Sequence, residues 1–183
     1  SIKFYGMVGL PSESDSDIDE TADLLIKLKQ KESSLKFTLG ISTFVPKAHT
    51  PFQWERVDPE AKKHLRQLTK KLKPKGINVR QESFGWSIIQ ALISRSDRRL
   101  APIIFHLRNS ENTLGAWKRT YKAIYNHEID KIDDFRINMY KLPSWEEVLF
   151  STWKTSDILP WEHLEGPLEK NTQKTSIYIR MNL

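Results

Sequence analysis

The sequence predicts an α/β fold that gives way to helices in its second half. Apolar runs at Ile2–Gly9 and Lys36–Val45 carry strand-type residues and end in turn residues. A segment of helical period lies between them, and strand–helix–strand at this spacing is the βαβ unit of a parallel sheet. Beyond residue 82 helical spacing dominates.

The first strand has apolar residues at both alternating positions, which predicts burial on both faces. Ser14 or Ser16 caps the helix that follows, which runs to about Lys31. Asp15, Asp17, Asp19 and Glu20 at its start complement the positive end of the helix dipole. That acidic start repels phosphate and tolerates a cation. Glu13 is the nearest carboxylate to the turn, as a cation contact or as a plain capping residue. The second strand alternates through Phe37, Leu39 and Ile41. Asp58-Pro59-Glu60 predicts a helix with Asp58 as its cap, and Ala61, Leu65, Leu68 and Leu72 form its apolar stripe. Pro74 and Gly76 end it near Lys73. Ile77–Gln81 reads as a short strand suited to a sheet edge.

Further helices are expected over 84–93, 97–107, 114–126 and 144–150, with Trp86, Trp117, Tyr121 and Tyr125 on buried faces. Alternation at Ser176–Met181 suggests one more edge strand. The composition change near 74–82 divides the chain into 1–76 and 77–183.

The net charge of +6 sits in one place. Residues 1–55 carry 6 basic and 8 acidic groups, 56–80 carry 9 and 2, and 81–183 carry 14 and 13. The basic segment has no aromatic residue to stack on a base, so a solvated helix face suits it better than a nucleic-acid grip. A polyanion-binding module built on it is the alternative reading. No apolar run reaches the roughly 18 residues of a membrane span. With no disulfide possible, the reading is a cytoplasmic protein. The five histidines, His49, His64, His106, His127 and His163, show no metal-binding spacing. No hydrolase elbow and no phosphate-cradling glycine loop is present.

Four strings carry more information. Gly9-Leu10-Pro11-Ser12-Glu13 follows the first strand, and Phe44-Val45-Pro46-Lys47-Ala48-His49-Thr50-Pro51-Phe52-Gln53-Trp54 follows the second. The prolines of the longer string predict an extended backbone with groups free to face a ligand, with Phe52 and Trp54 as apolar surfaces beside it. Ser94-Arg95-Ser96-Asp97-Arg98-Arg99 and Leu159-Pro160-Trp161-Glu162-His163-Leu164 come later. Asp97 suits a cap, and the arginines suit either a carboxylate or phosphate clamp or an Asp–Arg network pinning the later helices to the sheet. The 159–164 string suits a hydrophobic anchor.

In this order the strings resemble the radical S-adenosylmethionine enzymes, and most closely a subgroup that often carries an upstream cobalamin-binding-like domain. The family turn reads Gly-Leu-Pro-Gly-Glu, so Ser12 replaces its second glycine. His49 stands where many members have glycine, and Ser96 replaces the glycine of a Leu-Ser-Arg-Gly-Asp-Arg-Arg string. The resemblance implies the last strands and helices of a partial (β/α) barrel followed by a largely helical C-terminal extension. It implies S-adenosylmethionine contacts at Gly9, Leu10, Pro11, Ser12, Glu13, Val45, Pro46, His49, Thr50 and Pro51. Arg95, Asp97, Arg98 and Arg99 would serve substrate or structure. The family's 4Fe–4S cluster needs a Cys-x-x-x-Cys-x-x-Cys loop, and this chain has no cysteine. It therefore reads as a fragment, inactive alone, of an oxidoreductase whose cluster ligands, and any cobalamin, lie elsewhere in the parent. Its expected partner is the missing part of its own chain, with self-association through exposed strand edges as the hazard.

Overall fold

The computed structural model describes residues 1–108, 111–129, 131–132, 135–136, 141–166 and Thr172. Strand β1 (Ile2–Val8) leads through α1 (Asp15–Lys31) to β2 (Phe37–Thr43), and α2 (Ala61–Leu72) leads to β3 (Ile77–Gln81). The strands form a parallel sheet in the order β1-β2-β3. Then come α3 (Phe84–Arg95), α4 (Ala101–Leu107), α5 (Leu114–Tyr125), the two-residue strands β4 (Lys131–Ile132) and β5 (Phe135–Arg136), and α6 (Trp145–Phe150). The fold class is mixed α/β. Among the described residues no helix is long and apolar enough to cross a membrane. The expected strand at 176–181 lies outside the described residues.

Two compact units divide the chain: residues 1–44 with 57–87, and residues 45–56 with 88–183. The sequence expectation of 1–76 and 77–183 kept each unit continuous. Instead the 45–56 segment belongs with the later helices, and β3 belongs with the sheet.

In the first unit both helices cover one face of the sheet. Ile18, Ala22 and Leu25 of α1 and Ala61, Leu65, Leu68 and Leu72 of α2 share one core with Val8, Phe37, Leu39, Ile41, Ile77 and Val79. The period of 2 in the strands and near 3.6 in the helices puts these side chains on facing surfaces. The opposite face is open. Tyr5 is 85% exposed and Met7 46%. With Gly40, Ser42, Arg80 and Glu82 they line a shallow dish of about 430 Å³. This corrects the expectation that β1 is buried on both faces. Parallel sheets normally bury both faces, and this one has a cover on one.

Ser14, not Ser16, caps α1, and it forms a reciprocal capping box with Asp17. Helix α2 starts later than expected. The Asp58 carboxylate accepts the Glu60 N–H at 3.0 Å and shapes a turn, while the helix begins at Ala61 without a side-chain cap. A 3-10 turn over Lys73–Lys75 and left-handed Gly76 close it.

The second unit is built on aromatic residues. Tyr121 is 1% exposed, meets Trp145 edge-on at 5.3 Å, and donates to the Pro143 carbonyl at 2.8 Å. Trp117 donates to Asn112 at 2.7 Å. Trp86 of the first unit and Tyr125 of the second, both expected in the core, are 50% and 44% exposed. They fall on the solvent side of helices whose opposite faces fill the core.

Candidate functional site

The parallel pairing ends with Val8 opposite Thr43, so the Gly9–Glu13 turn and the chain leaving Phe44 depart from the same sheet edge. C-terminal strand ends are where ligands collect in α/β sheets. Phe44 still donates to the Val8 carbonyl at 2.8 Å.

The Gly9–Glu13 turn is closed from within. Gly9 is left-handed at φ 79°, and a Cβ there would lie 2.8 Å from the Ala61 Cβ, so only glycine fits. The Glu13 carboxylate folds back to accept the Gly9 N–H at 2.6 Å, and Glu13 N–H donates to the Leu10 carbonyl at 3.0 Å. The same carboxylate oxygen lies 2.9 Å from Nδ1 of His64. The other His64 nitrogen lies 3.3 Å from Asp15. The Glu13 carboxylate and the His64 ring are about nine-tenths buried or more. Glu13 therefore staples the turn to α2, and the helix cap is Ser14. Ser12 is exposed and left-handed at φ 68°. Leu10 is exposed and Pro11 half-buried.

Sequence reasoning missed His64. The available signal was its place on the buried stripe beside Ala61, Leu65 and Leu68, where an imidazole needs polar partners. The acidic start of α1 also draws cations from α2. Lys63 reaches Asp15 at 2.9 Å and Lys71 reaches Asp19 at 2.7 Å, while Gln67 donates to Asp19. The hydrogen bond from Lys63 holds the Asp15 carboxyl below its ordinary range, and that from Lys71 does the same for Asp19. Part of the basic surplus of 56–80 is matched in this way inside the unit.

In the second unit, Val45 to Pro51 is less available than its prolines suggest. Val45 and Pro46 are buried. The Pro46 carbonyl accepts from Ser94 at 3.3 Å, and the Lys47 carbonyl accepts from the Thr50 hydroxyl at 2.8 Å. The His49 N–H donates to Gln53, and the Thr50 carbonyl accepts the Gln53 N–H at 3.1 Å. The Pro46, Lys47 and Thr50 carbonyls and the His49 N–H, expected to face a ligand, are thus engaged within the second unit. Pro51 is half-buried in the following turn. His49 is left-handed at φ 58°, and a Cβ at Gly166 would overlap its ring. Trp54 is 5% exposed and packs with Leu159, Trp161 and Trp153, so it is core rather than a ligand platform. The Leu159–Trp161 string is the hydrophobic anchor expected, and it docks on the 45–56 segment.

The arginine string divides. Asp97 caps a 3-10 turn over Arg98–Leu100 and holds Arg99, with Arg99 Nε 2.9 and 3.0 Å from its two oxygens. Burial works to raise the Asp97 carboxyl, and the Arg99 hydrogen bonds and charge leave it below its ordinary range. Arg99 also donates to the Lys141 carbonyl at 2.7 Å. Arg98 is exposed. Arg95 is 1% exposed, donates to the Ser151 carbonyl at 2.8 Å, and stacks 4.0 Å over Trp153. These bonds tie together segments of the second unit. The burial of Arg95 was readable in its spacing from Ile88 and Leu92 on α3.

Among the described residues, no three His, Asp or Glu side chains are grouped to hold a metal ion. The chain is 34% identical over 118 residues to an uncharacterized protein of Methanocaldococcus jannaschii, a match covering 64% of this chain and 26% of that protein. The chain thus spans about a quarter of the length of this relative. No protein-family model matches the chain, and no solved structure does.

Proposed function

We propose that the chain is the C-terminal portion of a radical S-adenosylmethionine 4Fe–4S enzyme, an iron–sulfur oxidoreductase of the cytoplasm. Its first unit would be the end of a partial (β/α) barrel. One observation carries the reading. Gly9, Ser12 and His49 have φ of 79°, 68° and 58°. These are the positions where the family strings have glycine, and left-handed backbone is what glycine permits. The two substitutions keep the backbone shape and change the residue. Ser96, the third replacement, is not left-handed.

Two further features support it. The open face of the parallel sheet, with Tyr5, Met7 and Arg80, is what a barrel lumen presents when the remaining strands are elsewhere. The later strings also meet one another: Pro46 with Ser94, and Gln53 with Trp161.

The residues of this chain do not fit a 4Fe–4S cluster, since no thiolate is present. Cluster ligands would lie elsewhere in the parent, and cobalamin, if used, with them. S-adenosylmethionine when bound supplies the radical chemistry, and the protein positions and shields it. Here the Gly9–Glu13 turn would offer a rigid, cation-tolerant rim, with Glu13 shaping the turn through Gly9 and His64.

The test is to sequence the parent gene upstream of Ser1, then reconstitute the whole protein and assay reductive cleavage of S-adenosylmethionine to 5′-deoxyadenosine. A Cys-x-x-x-Cys-x-x-Cys loop and cleavage that weakens in Glu13→Ala are expected. A parent with no such cysteine loop sinks the proposal.

A further inference from the structure

The second unit contains a cleft of about 240 Å³. Arg95 and Trp153 lie on its wall, and Leu100, Leu142 and Val148 give it an apolar lining. Arg95 uses Nη2 to reach Ser151, while its Nε and Nη1 have no hydrogen-bond partner among the described residues. A guanidinium buried to 1% exposure with these donors unmet is a costly arrangement unless an acceptor meets them.

The acids around the cleft are committed elsewhere. Asp97 holds Arg99, Glu147 accepts from Ser144 in the cap of α6, and Asp157 accepts the Lys154 N–H. Glu55 acts on Arg95 through its charge, and burial raises its own carboxyl above the ordinary range. Burial brings Arg95 down to about 10, opposed by Glu55.

We propose that this cleft binds a small organic carboxylate, with the anion on the unpartnered nitrogens of Arg95 and its apolar body against Leu100, Leu142 and Val148. The volume is below the roughly 300–1,000 Å³ of drug-sized pockets, so a nucleotide is too large. The apolar lining disfavours a fully hydrated inorganic ion. A guanidinium stacked on an indole is preorganised for a planar anion. Both nitrogens are shielded from solvent, so the anion reaches them only when a side chain lining the cleft moves aside. The inference is independent of the radical-enzyme reading.

The experiment titrates the 15N-labelled chain with benzoate, butyrate and inorganic phosphate. It follows the Arg95 Nε–H resonance by NMR and affinity by calorimetry. Benzoate and butyrate should shift that resonance saturably, and phosphate should bind far more weakly. Arg95→Gln should weaken benzoate about tenfold or more, the loss of a charge-assisted hydrogen bond. Because Arg95→Gln also breaks the Ser151 bond, Ile158→Glu provides a second variant. It alters only an exposed side chain, and its negative charge should weaken benzoate binding without lowering stability. An Arg95 resonance unmoved by either carboxylate, or affinities unchanged in both variants, overturns the proposal.

Discussion

The Trp161 indole donates to the side-chain carbonyl of Gln53 at 2.7 Å, joining residues 108 positions apart in a buried contact. The same oxygen accepts the His49 backbone N–H at 3.1 Å. Gln53→Ala therefore removes the acceptor for two donors and should cost about 2 kcal/mol. Trp161→His, which retains a ring donor, gives up packing against Trp54 instead. Urea denaturation followed by tryptophan fluorescence checks this. If Gln53→Ala has an unchanged midpoint, the contact does not stabilise the second unit.

Ser12 sits at φ 68° with its side chain exposed. Left-handed backbone costs a non-glycine residue about 1–2 kcal/mol, part of which glycine returns in unfolded-chain entropy. Ser12→Gly should raise stability by about 0.5 kcal/mol, and Ser12→Val should lower it by about 1 kcal/mol. Thermal melts of the pair, compared with the parent chain, show the opposite signs or refute the strain.

The Glu13–His64 pair is buried, and removing Glu13 leaves the Gly9 N–H and Nδ1 of His64 without their carboxylate, with only Asp15 still beside the ring. Glu13→Ala should destabilise the chain by roughly 3 kcal/mol. Glu13→Gln keeps an acceptor for the Gly9 N–H and should cost less. Equal losses in the two variants, measured by urea midpoint, would mean that only the carboxylate's charge matters and that neither the amide acceptor nor the bulk of Gln replaces any of it.

Asp15 and Asp19 have folded-state pKa values held below the ordinary 3.8, through Lys63 and Lys71 respectively. A depressed carboxyl contributes stability that is present above the unfolded value and lost as pH falls through the folded one. Stability should therefore fall on acidification below about pH 4, and less so in the Asp15→Asn/Asp19→Asn double variant. Both pairs are exposed, so the difference should shrink at 1 M salt, where the screening length is about 3 Å. Urea midpoints at two pH values and two salt concentrations test all of this.

The first unit was legible because its periodicities are enforced by burial. Leu65, Leu68 and Leu72 recur at helical spacing, and Phe37, Leu39 and Ile41 alternate, since each element has one face in the same core. Tyr5 and Met7 were misread because hydrophobicity marks a surface fit for burial without saying that this chain covers it. Asp58 was misread because one carboxylate can cap a turn or a helix with the same local sequence. His64 and Arg95 lay on buried stripes, yet their partners come from distant turns. Spacing says that such a residue is inside and leaves open what it touches. The bonds that close the 45–51 backbone on itself come from Gln53, Thr50 and Ser94, whose side chains carry no periodic signal.

The chain crosses between its two units after Phe44, after Arg56 and within α3 after Ser87. No single cut keeps both units whole: a cut after Ser87 leaves the first unit complete but takes 45–56 from the second. A nuclease-trimmed gene library, or a protease nicking one loop, therefore divides the core of at least one unit. Separating the units genetically would take an excision of residues 45–56 and a short splice joining Phe44 to Val57. Recombination that shuffles domains at one junction would meet the same obstacle.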